Sequence, residues 1–219
     1  MHRWEGDEVG TRVRVAARPM RAVRPVDLEG AYVNPRAVLA KQAMTGKVHK
    51  LARGVFVAPP DTVADPVRWR PGFEAAAGAV GTAIFGPEGV VAVGMTAARM
   101  HRVVPRARAA ADLAVTARHR PVDLTDRTHG RVRFVTRDIA TLDTRPMTTE
   151  LGTMRVTTPE QTLVDLAAGV DVDDPDVGDA MRALARRVTW DRVYGLAAHQ
   201  RGARKALPRL RALERTVTA

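Results

Sequence analysis

A chain of 219 residues holds one large domain or two small ones, and 45% apolar residues mark it as globular rather than disordered. With no cysteine and no serine, it excludes disulfides, thiolate metal sites, thiol nucleophiles and the Ser-His-Asp mechanism. A formal charge of +11 and a pI near 11.2 suit an anionic partner or surface, although arginine far outnumbers lysine and an arginine-rich background would give the same total.

The opening residues, MHRWEGDEVG, are charged and lack the apolar segment of a signal peptide. The longest apolar run, around 89–95, is about seven residues, far short of a bilayer span. A soluble, cytoplasmic protein with no membrane partner is expected. Residues 11–24 place Val13, Val15, Ala16, Ala17 and Met20 among arginines and predict a helix that Pro19 interrupts or kinks. A second short helical piece is expected over 26–32, with Gly30 punctuating the turn after it.

The rest of the chain is organised around 34–59, NPRAVLAKQAMTGKVHKLARGVFVAPP. Asn34 is the only asparagine, and Asn followed by Pro is the N-cap and first position of a helix. The helix is expected over 35–45, with Gly46 ending it. Two apolar runs, 48–51 and 55–58, flank Ala52-Arg53-Gly54 and predict a hairpin with a tight basic turn. Helix, glycine, strand, turn, strand is the order of the second half of a winged helix-turn-helix. Three of the four lysines, Lys41, Lys47 and Lys50, fall here beside Arg36 and Arg53. With Leu39, Ala40, Ala43 and Met44 assigned to the core face, Lys41, Gln42 and Thr45 share the opposite face with Val38. Presented to a major groove, Gln42 would pair with adenine and Lys41 with guanine or phosphate. His49, Lys50 and Arg53 would lie on the wing, against phosphate or the minor groove. The candidate DNA-binding set is Arg36, Lys41, Gln42, Thr45, Lys47, His49, Lys50 and Arg53. A solvated helix-hairpin with ordinary surface charge remains the plainer reading.

A Pro-rich connector over 59–72 is the expected domain boundary, dividing the chain into 1–66 and 67–219. Beyond it, helices are expected over 73–85 and over 97–103, the latter capped by Thr96 and stopped by Pro105. Strands are expected over 90–93, 113–117 and 130–137, where Arg131 and Arg133 alternate with Val132 and Phe134, and in two further segments joined near 150–152. Thr158-Pro159-Glu160-Gln161 has capping-box spacing and opens another helix. Helices over 176–188 and 190–200, the second capped by Thr189, precede a basic tail over 201–215 with Pro208 as a break. The expected class is α+β: an N-terminal winged helix-turn-helix followed by a mixed α/β C-terminal domain.

Catalytic chemistry does not assemble. The six histidines are scattered without metal-ligand spacing. Asp171, Asp173, Asp174 and Asp176 lack the glycine and distal glutamate of a calcium loop, and carboxylates preceding a helix need no ion. Gly46-Lys47 has neither the upstream glycine nor the following Ser/Thr of a phosphate loop. No catalytic, cofactor-binding or metal-binding residue is expected.

Three motifs in order, KLARGVFVAPP, then VVAVGMTAARMHRVVP, then RVTTPEQTLVDLAA, resemble the AbiEi family of antitoxins from bacterial type IV toxin–antitoxin systems. The matching stretches are 53–56, 90–105 and 157–168, spanning most of the chain from about 25 to 170. Gln161 departs from the arginine frequent in that family, and Gln42 from the apolar residue that often precedes the turn glycine. The resemblance implies a winged helix that binds double-stranded operator DNA and represses its own operon. It also implies a C-terminal antitoxin domain that counters a cognate nucleotidyltransferase-like toxin. Readers of this kind commonly occupy paired half-sites, so a homo-oligomer on DNA is one expectation. The alternative is a non-catalytic basic interaction module, or a transcriptional regulator outside any toxin–antitoxin pair, binding an acidic protein or RNA.

Overall fold

The computed structural model describes residues 5–104, 109–169, 174–200 and 202–218. The architecture is mixed α+β, with a small three-stranded sheet and a six-stranded sheet. Among the described residues no helix is long and apolar enough to cross a membrane.

The first helix, α1, spans Glu5–Ala16 and stops well short of the expected 11–24. Pro19 does not kink it. It opens a separate 3-10 turn, Pro19–Arg21, which delivers Ala22–Val23 as strand β1. A second 3-10 turn, Pro25–Leu28, stands where the short helix was expected. Helix α2 spans Pro35–Met44, and Asn34 caps it as the sequence predicts, its Oδ1 accepting from the Ala37 N–H at 3.1 Å. The exit is a Schellman turn: the Lys47 N–H reaches the Gln42 carbonyl (3.0 Å) and the Gly46 N–H that of Ala43 (3.3 Å). Gly46 holds φ +71°, which a side chain adopts only with strain. Strands β2 (His49–Ala52) and β3 (Val55–Val57) follow as a hairpin. Its two-residue turn is Arg53-Gly54, with Gly54 at φ +76°.

Strand β3 lies centrally in the order β1-β3-β2, all antiparallel. One set of its neighbours closes a local core of Val15, Val23, Leu28, Leu39, Val48, Phe56 and Ala58. The other set, Ala22, Leu51, Ala52, Val55 and Val57, joins the main core of the C-terminal part. Helix α3 (Phe73–Phe85) supplies the facing surface through its buried alanines. The edge of β2 is covered as well, by an Ala52–Leu124 bridge and a Thr125 N–H donated to the Leu51 carbonyl (2.8 Å). The apolar core is therefore continuous across the Pro-rich connector.

The large sheet contains β4 (Val90–Ala92), β5 (Ala110–Val115), β6 (Val122–Asp123), β7 (Arg131–Thr136), β8 (Thr144–Thr149) and β9 (Gly152–Thr157), in the order β6-β7-β5-β4-β9-β8. The pairs β4–β9 and β5–β7 are parallel and the rest antiparallel. Helix α3 covers the face of Val90, Ala92, Leu113 and Val132. Val91, Val93 and Ala114 point the other way, onto Ile139 and Leu142. A helical layer of α4 (Gly94–Met100), α5 (Pro159–Ala168), α6 (Pro175–Ala185), α7 (Trp190–His199) and α8 (Ala203–Thr218) shares a core of its own.

Several caps differ from expectation. Thr96 lies inside α4, where its Oγ1 accepts from the Asp112 N–H (2.7 Å) and ties helix to strand. Thr158 caps α5 through the Gln161 N–H (3.3 Å). The reciprocal half of the box is absent, because the Thr158 N–H goes to the Asp143 carbonyl instead (3.0 Å). Thr189 precedes α7 without a side-chain cap, while its N–H donates to Glu160 (3.3 Å). Asp174 caps α6 at the Asp176 N–H (2.9 Å), and Pro105, Asp171 and Asp173 lie outside the described residues. Pro208 sits within α8 without ending it. Burial of Ala206 and Leu210 against the helical layer offsets the roughly 3 kcal/mol a proline costs in a helix interior.

Candidate nucleic-acid interface

The basic residues of this stretch are carried by α2, its exit turn and the β2–β3 hairpin. Arg36 lies in the first turn of α2 and Lys41 one and a half turns later, both exposed. Thr45 is exposed at the C-cap, its Oγ1 donating to the Gln42 carbonyl (3.1 Å). Lys47 is half-buried just beyond Gly46, Lys50 points out of β2, and Arg53 is exposed at the hairpin tip. Among the described residues, Arg36, Lys50 and Arg53 have no ion-pair partner, so their charge is directed at solvent.

Two members of the expected set do not belong to this surface. Gln42 is 2% exposed and sits beside Leu39 on the buried face of α2. Its Oε1 is buried with no hydrogen-bond partner among the described residues. A base-reading role for Gln42 is incompatible with that position. The expected core face was displaced by about one residue: Ala40 and Met44 are exposed, and Met44 reaches 87%. At roughly 100° per residue, a one-position shift moves each side chain a quarter-turn around the helix.

His49 is the second correction, at 8% exposure. Its Nε2–H donates to the Pro66 carbonyl (2.5 Å) and its Nδ1 accepts from Arg70 (3.2 Å), while the ring meets Trp69 edge-on at 5.5 Å between centroids. Desolvation by burial pulls its pKa below the ordinary value of 6.5, against the pull of the Pro66 carbonyl, and the Arg70 charge lowers it further. His49 therefore fastens the connector to β2. Arg70 completes the clasp by donating to the carbonyls of Val67 (3.1 Å) and Trp69 (2.7 Å).

What replaces the lost pair is a strip the sequence reading overlooked. Ala37, Ala40 and Met44 occupy the middle of the exposed face of α2, and exposed Val33 stands at its entrance. Within the helix, 37, 40 and 44 stand at the helical spacing i, i+3, i+7, and that periodicity was the available signal. Arg36 and Lys41 lie on opposite flanks, each roughly 70° from the midline.

Elsewhere, a cleft of about 1020 Å³ lies among β7, α5 and α7. Asp165 presents its carboxylate there, with Gln161 (2.9 Å) and Gln200 (2.8 Å) donating to Oδ1. Arg137 stands 2.9 Å from Oδ2 as an ion pair, too poorly aligned for a hydrogen bond. Burial raises the Asp165 pKa and outweighs the lowering by Arg137. These contacts make the cluster a polar tie between the sheet and two helices. Among the described residues, no group of three His, Asp or Glu side chains is arranged to hold a metal ion.

No family model matches the chain, and no curated protein matches it. Its fold is similar to the crystal structure of the RV2827C protein from Mycobacterium tuberculosis, with a TM-score of 0.58 and 17% identity. The match covers 94% of this chain and 75% of that one, and at this identity it is a likeness of fold.

Proposed function

We propose that residues 1–66 form a winged helix-turn-helix that binds double-stranded operator DNA, and that the protein is a non-catalytic, cytoplasmic antitoxin repressing its own operon. The observation that carries this reading is the order of elements around one three-stranded sheet: α1, β1, a 3-10 turn, α2, then the β2–β3 hairpin. In that arrangement α2 takes the position of a recognition helix and Arg53-Gly54 that of a wing tip. Arg36, Lys41, Thr45, Lys47, Lys50 and Arg53 then line the DNA-facing side. The antitoxin assignment rests on the resemblance of 53–56, 90–105 and 157–168 to the AbiEi family. It makes residues 67–219 the domain that counters a nucleotidyltransferase-like toxin.

Binding to the duplex upstream of its own gene, measured by fluorescence anisotropy between 50 and 200 mM salt, tests the repressor. Five cations at phosphates give a slope of about −4.5 in log K against log salt, a loss of about 500-fold over that range. Replacing Lys50 and Arg53 by alanine lowers the slope by about two. Equal affinity for unrelated duplexes at every salt concentration would rule out an operator reader. Co-expression with the adjacent gene product separately tests the antitoxin role: relief of its growth inhibition is expected, and none would remove that half.

A further inference from the structure

We propose that α2 selects its DNA through the C5-methyl groups of thymine, by apolar contact and not through an amide–adenine pair; the inference rests on the DNA-binding reading above. Gln42 carries the only side chain on α2 with the paired donor and acceptor that adenine requires, and it is buried. The middle of the outward face presents methyl and thioether groups instead: Ala37, Ala40 and Met44, with Val33 at the entrance. Among the described residues, Val33 and Met44 are two of the few large apolar side chains left exposed, and none of those residues covers the strip.

Charge identifies the occupant. Arg36 and Lys41 flank the strip on opposite sides, and the exit turn and hairpin that follow carry Lys47, Lys50 and Arg53. A helix entering a groove about 12 Å wide meets base edges along its midline and the two phosphate backbones at its flanks. An apolar midline between cationic flanks fits that environment. Small alanines also let the backbone of α2 approach the bases closely. Of the groups displayed in the major groove, the thymine methyl is the apolar one. Cytosine at the same position presents an amino donor that the strip would desolvate without pairing.

The test begins with selection of tight-binding duplexes from a randomised pool by the full-length protein. Each selected duplex is then remade with deoxyuridine for thymidine, which removes only the methyl. Selected sites are expected to carry thymine at neighbouring positions. Affinity should fall roughly fourfold per contacted methyl on replacement, the value of burying one carbon of that size. Met44→Ala and Val33→Ala change exposed side chains and keep the fold. They should erase most of the deoxyuridine penalty while leaving the salt slope unchanged. Selected sites indifferent to deoxyuridine would overturn the methyl reading and leave DNA binding intact. Absence of any enrichment would overturn both. Self-association that depends on Met44, seen by sedimentation without duplex preference, would assign the strip to a second copy and equally refute the proposal.

Discussion

Replacing Gln42 by methionine separates a buried core position from a base reader. Methionine keeps the length and shape of the side chain and removes the amide. In the native protein Oε1 is enclosed beside Leu39 without a hydrogen-bond partner among the described residues. An acceptor stripped of water and left unpaired costs about 1–3 kcal/mol, and an apolar group of the same shape does not incur that cost. Gln42→Met is therefore expected to stabilise the fold by about 1–3 kcal/mol. For a chain of this size each kcal/mol raises Tm by about 2–4 °C. Urea unfolding followed by circular dichroism should show a higher midpoint with an unchanged slope, the mark of altered stability at constant compactness. Affinity and sequence preference for duplex DNA should not move. A variant that is less stable, or one equally stable that loses sequence preference, would return the amide to the groove and refute the placement.

Gly46→Ala should do the opposite. A residue with a side chain at φ +71° costs about 1–2 kcal/mol, and the added Cβ would stand 2.7 Å from Val67 Cγ2 and 3.0 Å from the Val67 Cα. A clear drop in Tm is expected, and an unchanged Tm would contradict the Schellman exit from α2. The buried histidines make stability depend on pH. His49 and His101 each donate Nε2–H to a backbone carbonyl, of Pro66 and Thr157, and accept an arginine at Nδ1, from Arg70 and Arg145. Desolvation, ahead of the arginine charges, holds both below 6.5, so the unfolded chain takes up protons that the folded one refuses. Their contribution is intact above pH 6.5 and is lost as pH falls beneath it. Unfolding midpoints compared between pH 7.5 and 5.5 should decline more in the native protein than in His101→Gln. Identical declines would refute the neutral, arginine-capped imidazole.

How much of this was legible in the chain depends on the range of each interaction. Asn34-Pro35 at the start of α2, Gly46 at its end, Arg53-Gly54 in the hairpin and Thr158-Pro159 before α5 act through backbone groups a few residues away. Sequence spacing therefore suffices to place them. The alternation of Val132 with Arg131 and Arg133 likewise located β7. The rotation of α2 was not legible, because Ala37, Val38, Leu39, Ala40, Ala43 and Met44 distribute apolar character around most of the helix. A buried glutamine then removes the polar marker that would have shown which side faces outward. Only packing against Val48 and Phe56 decides it.

Composition and local signals alone determined that the protein has no cysteine or serine chemistry, that it concentrates lysine in one helix-hairpin, and where that helix begins and ends. Tertiary structure alone decided which residues that helix leaves exposed. It also recruited Ala22–Val23 as a third strand and set the order β6-β7-β5-β4-β9-β8. It turned His49 from a candidate contact into a clasp for the connector. Each of these depends on side chains or strands far apart in the chain meeting in space, and residue spacing within one segment carries no record of such meetings.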